Sequence, residues 1–364
     1  MLEKTRHRIN SSLKLFLLKA KKDYRFDLVH PRLFKSLEEF ILRDGKRLRP
    51  TLLVYSYKGY ASARRRITPS IYYVSTCIEL LHAFMLVHDD IIDCSPLRRG
   101  KPTMHRLLST AVPAQDPERL GTDLGIVAGD IIYALAIDAF LSVNEDPRRK
   151  EAALKYFIQT AVFTAMGEFI DTVHGLSDIN KVREPDVMLN YTLKTARYTF
   201  DCPMVVGAIL AGAAAQDIRG LSRLGRLMGQ AFQIQDDIIG IFATQKSIGK
   251  SVLSDLEERK KTLLICHAFR HLRGKKKKKF LTLFNKKYKD RSDLAAMRKI
   301  LVESQSLHYS LGEIKKRLRD SEKILAALRM KPLFRRQMET TLFTLYQPAR
   351  QISSRYHVDF PIRG

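Results

Sequence analysis

The chain has 364 residues, 45% of them hydrophobic, so a large core can form and disorder is not the default expectation. Lys and Arg number 64 against 38 Asp and Glu, and the net charge of +26 points to an anionic partner: nucleic acid, a membrane surface or an anionic substrate. The four cysteines, Cys77, Cys94, Cys202 and Cys266, show no metal or redox spacing and fit a reducing compartment rather than a disulfide framework.

Helical periodicity dominates and period-two alternation is scarce, with no Asn-Gly hairpin signal, so the expected fold class is all-α. The first helix, 4–22, holds "LKLFLLKA" (Leu13–Ala20), too short and too interrupted by lysine for a secretory signal. Helices follow at 32–43, 50–62, 70–93, 102–110, 118–142 and 149–176. Gly45, Pro69, Pro96, Gly100, Pro117 and Pro147 mark the breaks. A long pattern over 184–213 contains Pro203, which is expected to kink it. Its stretch "MVVGAILAGAAA" from Met204 falls short of the ~20 residues of a membrane span, and a soluble, cytoplasmic protein is expected. Further helices are expected at 217–243, 256–272, 276–288, 292–303, 307–328 and 332–354. No Ser/Gly-rich linker divides the chain and no period of 20–50 residues repeats, so 1–364 reads as one domain.

Much of the charge is local. Residues 270–300 hold 13 Lys and Arg against only Asp290 and Asp293, which is 11 of the 26 charges. The run Lys275–Lys279 reads as part of a solvated interhelical segment near 273–291. Its functional reading is adhesion to RNA or anionic lipid.

One pattern occurs twice: "HDDIID" at 88–93 returns as "QDDIIG" at 235–240, each closing a long apolar helix and each followed by basic residues. On a helix Asp89 and Asp93 share a face, and Asp90 is turned away by about 100°. Carboxylates this close repel unless neutralised, and a hard divalent cation does so through oxygen. Mg2+ takes one or two carboxylates together with water and phosphate oxygens. With Asp236 and Asp237 as a second pair, the two acidic patches facing each other would clamp a diphosphate through shared metals. A single such pattern would as readily be a solvated helix end; two copies favour the site. Basic clusters alternate with the acids: Lys46 and Arg49 in "GKRLRP", Arg98 and Arg99, then Lys250, Lys260 and Lys261 in "GKSVLSDLEERKKTLL". Guanidinium forks and lysine point charges suit diphosphate oxygens, which suggests two anion sites, one through metals and one through bases alone.

From Gly45 to Leu264 the ordered motifs "GKRLRP", "ELLHAFMLVHDDIIDCSPLRRGKPTMH", "AGD", "KTARYTF", "FQIQDDIIG" and "GKSVLSDLEERKKTLL" resemble those of the trans-isoprenyl diphosphate synthases, or polyprenyl synthetases. The resemblance implies a helical bundle around a deep central cavity, usually as a homodimer. It implies Mg2+, three ions per active site, and head-to-tail 1′–4 condensation of isopentenyl diphosphate with an allylic diphosphate (dimethylallyl, geranyl or farnesyl). By motif, Asp89, Asp93 and Asp236 would hold the metals with Asp90 and Asp237 in support. Arg98, Lys194 and Lys250 would hold the allylic diphosphate, assisted by Lys260. Lys46, Arg49, His82 and Arg99 would hold isopentenyl diphosphate, and Thr195 and Gln233 would turn dipoles to the allylic cation. Gly240 stands where many members have a third Asp, and Asp44 where Gly is frequent.

Tail length is expected to be set below Asp89. Met85 lies one turn earlier on nearly the same face, ~6 Å down, and Leu81 a turn further. Phe84 is about 140° off Asp89 on an ideal helix, so geometry alone would not make it the floor. In the family, an aromatic residue five positions before the first Asp limits the tail. That pattern resembles the C20 (geranylgeranyl) class, with C15 (farnesyl) or longer products as alternatives. A cyclase or head-to-head synthase is disfavoured by the isopentenyl-binding basic set, and a non-catalytic subunit by the retained aspartates. A nucleic-acid-binding protein, the alternative suggested by charge, lacks zinc-ligand spacing and an RRM-type aromatic signature.

Overall fold

A computed structural model describes residues 2–62, 70–242 and 254–358. Helices build nearly all of it. The chain divides into two compact units, each made of three stretches of sequence. The first comprises 1–158, 203–218 and 329–338, the second 159–202, 219–328 and 339–364.

The first unit begins with α1 (Leu2–Asp23), α2 (Pro31–Leu42), α3 (Leu48–Tyr60) and α4 (Ser70–Ile92). α1 buries Ile9, Leu13, Phe16, Leu17 and Ala20, a stripe at helical spacing. α4 is buried more widely, with Val74, Ile78, Leu81 and Val87 all at 1% exposure or less, and is packed by α1, α3 and α6 (Pro117–Leu141). Pro117 is the first residue of α6, where its missing N–H costs nothing, and Asp116 caps the helix by accepting from Arg119 N at 3.0 Å. Gly129 of α6 leaves room for His88 of α4: a Cβ there would lie 2.3 Å from His88 Cε1, and that ring would have to move.

Between α4 and α5 (Met104–Leu108) the chain makes a two-residue hairpin, β1 (Leu97–Arg98) with β2 (Lys101–Pro102), which the sequence did not signal. Its turn has positive φ at both Arg99 (55°) and Gly100 (74°), the backbone shape that lets tight hairpins follow strand twist.

α7 (Pro147–Leu176) runs from the first unit into the second. The expected 184–213 helix changes winding along its length: α8 (Glu184–Asn190), a π-helical stretch Tyr191–Asp201, and α9 (Cys202–Ala211), with right-handed helical dihedrals at both joins. Pro203 follows directly on the π stretch, and the irregularity beside it is that change of winding. In α10 (Ala215–Phe242) the buried set Leu224, Met228, Ala231, Ile234 and Ile238 leaves Asp236 exposed on the opposite side.

The expected 256–272 helix is broken into α11 (Ser254–Glu257) and α12 (Leu263–His271), because Thr262 caps a new start by accepting from Ile265 N at 3.3 Å. The lysine run is not an interhelical loop: it forms the first turns of α13 (Gly274–Asn285). That helix is amphipathic, burying Phe280 and Phe284, and Lys277 lies over Phe269 at 3.9 Å. α14 (Arg291–Glu303) starts with an Asp290–Asp293 capping box; α15 (Ser306–Ala327), α16 (Pro332–Phe343) and α17 (Gln347–Arg355) follow.

Among the described residues two helices are long and apolar enough to cross a membrane, more than the sequence reading allowed. The α4 segment Ile71–Ile92 is 72% buried, as a core helix should be; α6 is 44% buried.

Candidate active site

In the first unit the site begins where α4 ends. A helix C-terminus already carries a partial negative charge, so three acids there make a place for cations rather than a stable helix end. Arg98, from the hairpin, reaches back to them. Its Nε donates to Asp90 Oδ1 at 2.7 Å and its Nη2 to Asp89 Oδ2 at 2.9 Å. Asp90 is fully buried, so it anchors the hairpin instead of meeting a ligand, whereas the Asp89 side chain is 22% exposed. The hairpin is also tied to α2, where Arg43 pairs with Glu39 at 2.7 Å and donates to Pro102 O at 2.7 Å.

Arg99, the next residue, points elsewhere. Its Nη1 donates to Asp44 O at 2.7 Å, and a Cβ on Gly45 would sit 2.7 Å from the same nitrogen. At position 44 it is thus the backbone, not the Asp side chain, that holds Arg99. His82 is buried, and burial together with Arg49, Arg99, Arg98 and Arg47 pushes its pKa well below the usual histidine value. It is neutral at pH 7 and able to donate one hydrogen bond among guanidinium groups. Lys46 is exposed and Arg49 half-buried. Arg47, between them, is structural: it is buried, pairs with Glu79 at 2.5 Å and donates to Asn10 Oδ1 at 2.8 Å.

Of the residues expected to set tail length, Leu81 is buried in the core at 1% exposure and meets no open space. Phe84 and Met85 are half-buried. The Phe84 ring lies 4.9 Å from Tyr133 and 4.7 Å from His88, so Phe84 packs against Tyr133 on α6, one turn past the "AGD" motif.

In the second unit the π stretch presents Lys194 and Thr195. It is gripped from two sides: a Cβ on Gly167 would lie 2.3 Å from Lys194 N, and one on Gly229 2.2 Å from Ala196 Cα. Lys194 Nζ sits between Asp171 (2.7 Å) and Glu168 (3.0 Å). Sequence reasoning missed both acids, although "EFID" spaces them three apart on one helix face. Burial pushes the Asp171 carboxyl up, but Lys194, Lys260 and the Asn190 amide outweigh it, and the net shift is downward. Lys260 pairs with Glu258 at 2.8 Å and shares a cleft with Asp237, Ile241, Thr262 and Phe284. Thr195 Oγ1 donates to Gln233 Oε1 at 2.7 Å, and Gln233 Nε2 donates to Asp237 Oδ1 at 3.0 Å. The other oxygen of Asp237 accepts from Tyr191 Oη. Asp237, like Asp90, is therefore held by the protein, and Asp236 is the exposed acid of its pair. Lys250 lies outside the described residues.

Among the described residues no three His, Cys, Asp or Glu side chains form a ready metal cage.

An all-helical chain with helix-end carboxylates, clustered guanidinium groups and lysines held by acids is built to handle diphosphates. Residues 30–301 match the polyprenyl synthetase family. The chain is 32% identical over 282 residues to a geranylgeranyl diphosphate synthase of Sulfolobus acidocaldarius, covering 77% of this chain and 79% of that one. It is 31% identical over 284 residues to a geranylfarnesyl diphosphate synthase of Aeropyrum pernix, covering 77% and 82%. Among solved structures, a geranylgeranyl pyrophosphate synthetase of Pyrococcus horikoshii superposes with a TM-score of 0.80 at 27% identity, over 95% of this chain and 97% of that one. One from Corynebacterium glutamicum, complexed with isoprenyl diphosphate and magnesium, reaches 0.86 at 23% identity over 96% and 99%, which bears on the fold alone. The chain belongs to the polyprenyl synthetase family and is a prenyltransferase that makes prenyl diphosphates.

Proposed function

We propose that the protein is one synthase domain spanning 1–364 that catalyses Mg2+-dependent, head-to-tail (1′–4) condensation of isopentenyl diphosphate with allylic diphosphates, giving mainly a C20 product. One observation carries this reading: neighbouring arginines of one hairpin serve two different surroundings. Arg98 donates to the carboxylates of Asp89 and Asp90, whereas Arg99 donates to the Asp44 carbonyl beside "GKRLRP". Two diphosphates handled in two ways, one through metal and one through bases alone, is what condensation of two diphosphate substrates requires.

In this reading Asp89, Asp93 and Asp236 hold Mg2+, three ions in all. Bound there, Mg2+ supplies charge neutralisation and Lewis acidity toward the leaving diphosphate. Arg98, Lys194, Lys250 and Lys260 bind the allylic diphosphate. Lys46, Arg49, His82 and Arg99 bind isopentenyl diphosphate, with neutral His82 as a donor. The allylic C–O bond breaks, and the dipoles of Thr195 and Gln233 stabilise the cation while apolar walls keep water away. The isopentenyl double bond then forms the new C–C bond, and a proton leaves to the released diphosphate. Phe84, Met85 and Tyr133 limit the tail. The free thiols Cys77, Cys94, Cys202 and Cys266 suit a cytoplasmic location.

The test is incubation with labelled isopentenyl diphosphate, Mg2+ and C5, C10 or C15 primers, followed by chain-length analysis. Condensation that survives full chelation, or no condensation at all, ends the reading. The protein is further read as a homodimer through α7, whose residues Val162, Met166, Phe169, Val173 and Leu176 are exposed at alternating spacings of four and three. Such a stripe is the seam a second helix covers. Phe169→Glu is expected to halve the mass seen by light scattering.

A further inference from the structure

Five groups of the second unit form one hydrogen-bonded line whose polarity is fixed from one end. Thr262 caps α12 through Ile265, so the N–H of Leu263, the first residue of the helix, has no intrahelical acceptor. It donates to Tyr191 Oη at 2.9 Å. A backbone N–H can only donate, so the Tyr191 hydroxyl must send its own proton onward, to Asp237. A carboxylate can only accept, so Gln233 turns its NH2 to Asp237 and its carbonyl away. That carbonyl takes the Thr195 proton. Thr195 Oγ1, a donor only among the described residues, keeps its lone pairs for whatever lies beyond. Burial and Asp237 raise the Tyr191 pKa well above the ordinary value, so the phenol stays protonated.

We propose that Tyr191, acting through Asp237, is a positioning residue that sets the direction of the Gln233 and Thr195 dipoles, so that oxygen rather than hydrogen faces the allylic carbon as it becomes positive. The proposal rests on the condensation reading above. It also gives Asp237 a task that does not involve binding metal, and it makes an isosteric change informative. In Asp237→Asn the amide must offer its oxygen to Tyr191 and its NH2 to Gln233. Gln233 then flips, and Thr195 becomes an acceptor with its hydrogen turned to the cation. The line keeps its shape and reverses its sign.

Steady-state kinetics of Asp237→Asn, Tyr191→Phe and the double variant test this, with circular-dichroism melting to confirm folding. Asp237→Asn is expected to lower kcat about 100-fold and Tyr191→Phe about tenfold, with KM for isopentenyl diphosphate within about twofold, the scale on which preorganised dipoles act. The double variant is expected to be faster than Asp237→Asn alone, by about tenfold, because the Tyr191 proton that the asparagine oxygen must accept is gone and its oxygen can face Gln233 again. A metal-ligand or merely structural role for Asp237 predicts no such recovery, and a double variant no faster than Asp237→Asn overturns the proposal. Should Tyr191→Phe fail to fold, Thr195→Val in the Asp237→Asn background replaces it: deleting the misdirected hydroxyl must then raise kcat. The unaltered protein, assayed alongside, separates the two failures: if it condenses and no rescue occurs, the line is wrong; if it does not condense, the reaction is wrong.

Discussion

Asp90 and Asp237 hold the same place in the repeated pattern, the second acid after an apolar run, yet they are anchored by opposite means. Asp90 is fully buried against the guanidinium of Arg98, a charged partner that also reaches Asp89. Asp237 accepts from two neutral donors, the phenol of Tyr191 and the amide of Gln233. A buried ion pair has strong cohesion but carries a large penalty once broken. A carboxylate that accepts from neutral donors passes direction along a hydrogen-bond line. The two helix ends resemble each other in sequence because each presents a leading acid, Asp89 or Asp236. They differ in how the second acid supports the first.

The sharpest way to break the comparison is to remove the leading acids. Asp89→Ala and Asp236→Ala are each expected to cut kcat by about 1000-fold or more, a loss of about 4 kcal/mol in barrier, and chelation should match either. If only one of the two mattered, the two ends would not be doing like work. The supporting acids should separate by stability instead. Arg98→Met leaves Asp90 buried without its guanidinium and is expected to cost about 3–5 kcal/mol. Tyr191→Phe removes one neutral donor to Asp237 and should cost about 1–3 kcal/mol. Denaturant melts of both variants measure the gap; equal losses would mean that the anchoring is not different in kind.

The repeated pattern, the helical class and most helix starts were legible because they rest on local rules. The i, i+4 spacing puts Asp89 and Asp93 together, and proline and glycine mark ends. What escaped depends on contacts between distant residues. Glu168 and Asp171 are ordinary helix acids until Lys194 arrives between them, brought there by the close approach that Gly167 permits. Arg47 reads like its basic neighbours until Glu79 buries it. The 191–201 stretch has normal helical periodicity, and nothing local marks its π winding. Leu81 shares a helix face with Met85, but neighbouring elements decide that it belongs to the core.

Tail length sharpens the comparison from the side of the first motif, since the aromatic cluster beneath it is drawn from α4 and α6. Phe84→Ala is expected to lengthen the main product by on the order of one isoprene unit, because truncating a packed aromatic leaves a cavity that the surroundings only partly refill. Tyr133→Ala should do the same, as the two rings are in contact at 4.9 Å between centroids. An unchanged product spectrum from both would remove these rings from the tail's path.

The smallest effect is expected where the charge is greatest. Lys275, Lys276, Lys278 and Lys279 are exposed at the start of α13, the end of a helix that disfavours cations. Lys277 alone among the run is folded inward, over Phe269. The helix is kept by Phe280 and Phe284, not by its lysines. Replacing the four exposed lysines with glutamine should therefore leave kcat within about twofold and stability nearly unchanged, since relief of dipole repulsion is confined to the first-turn lysines, Lys275 and Lys276, and is offset by loss of the exposed Lys276–Glu303 pair. Initial rates and melting temperatures compared at low and high salt check this. A large drop in rate would tie α13 to substrate handling and undo the division between bases that meet diphosphate and bases on an outer helix face, where Lys276 pairs with Glu303 at 3.1 Å.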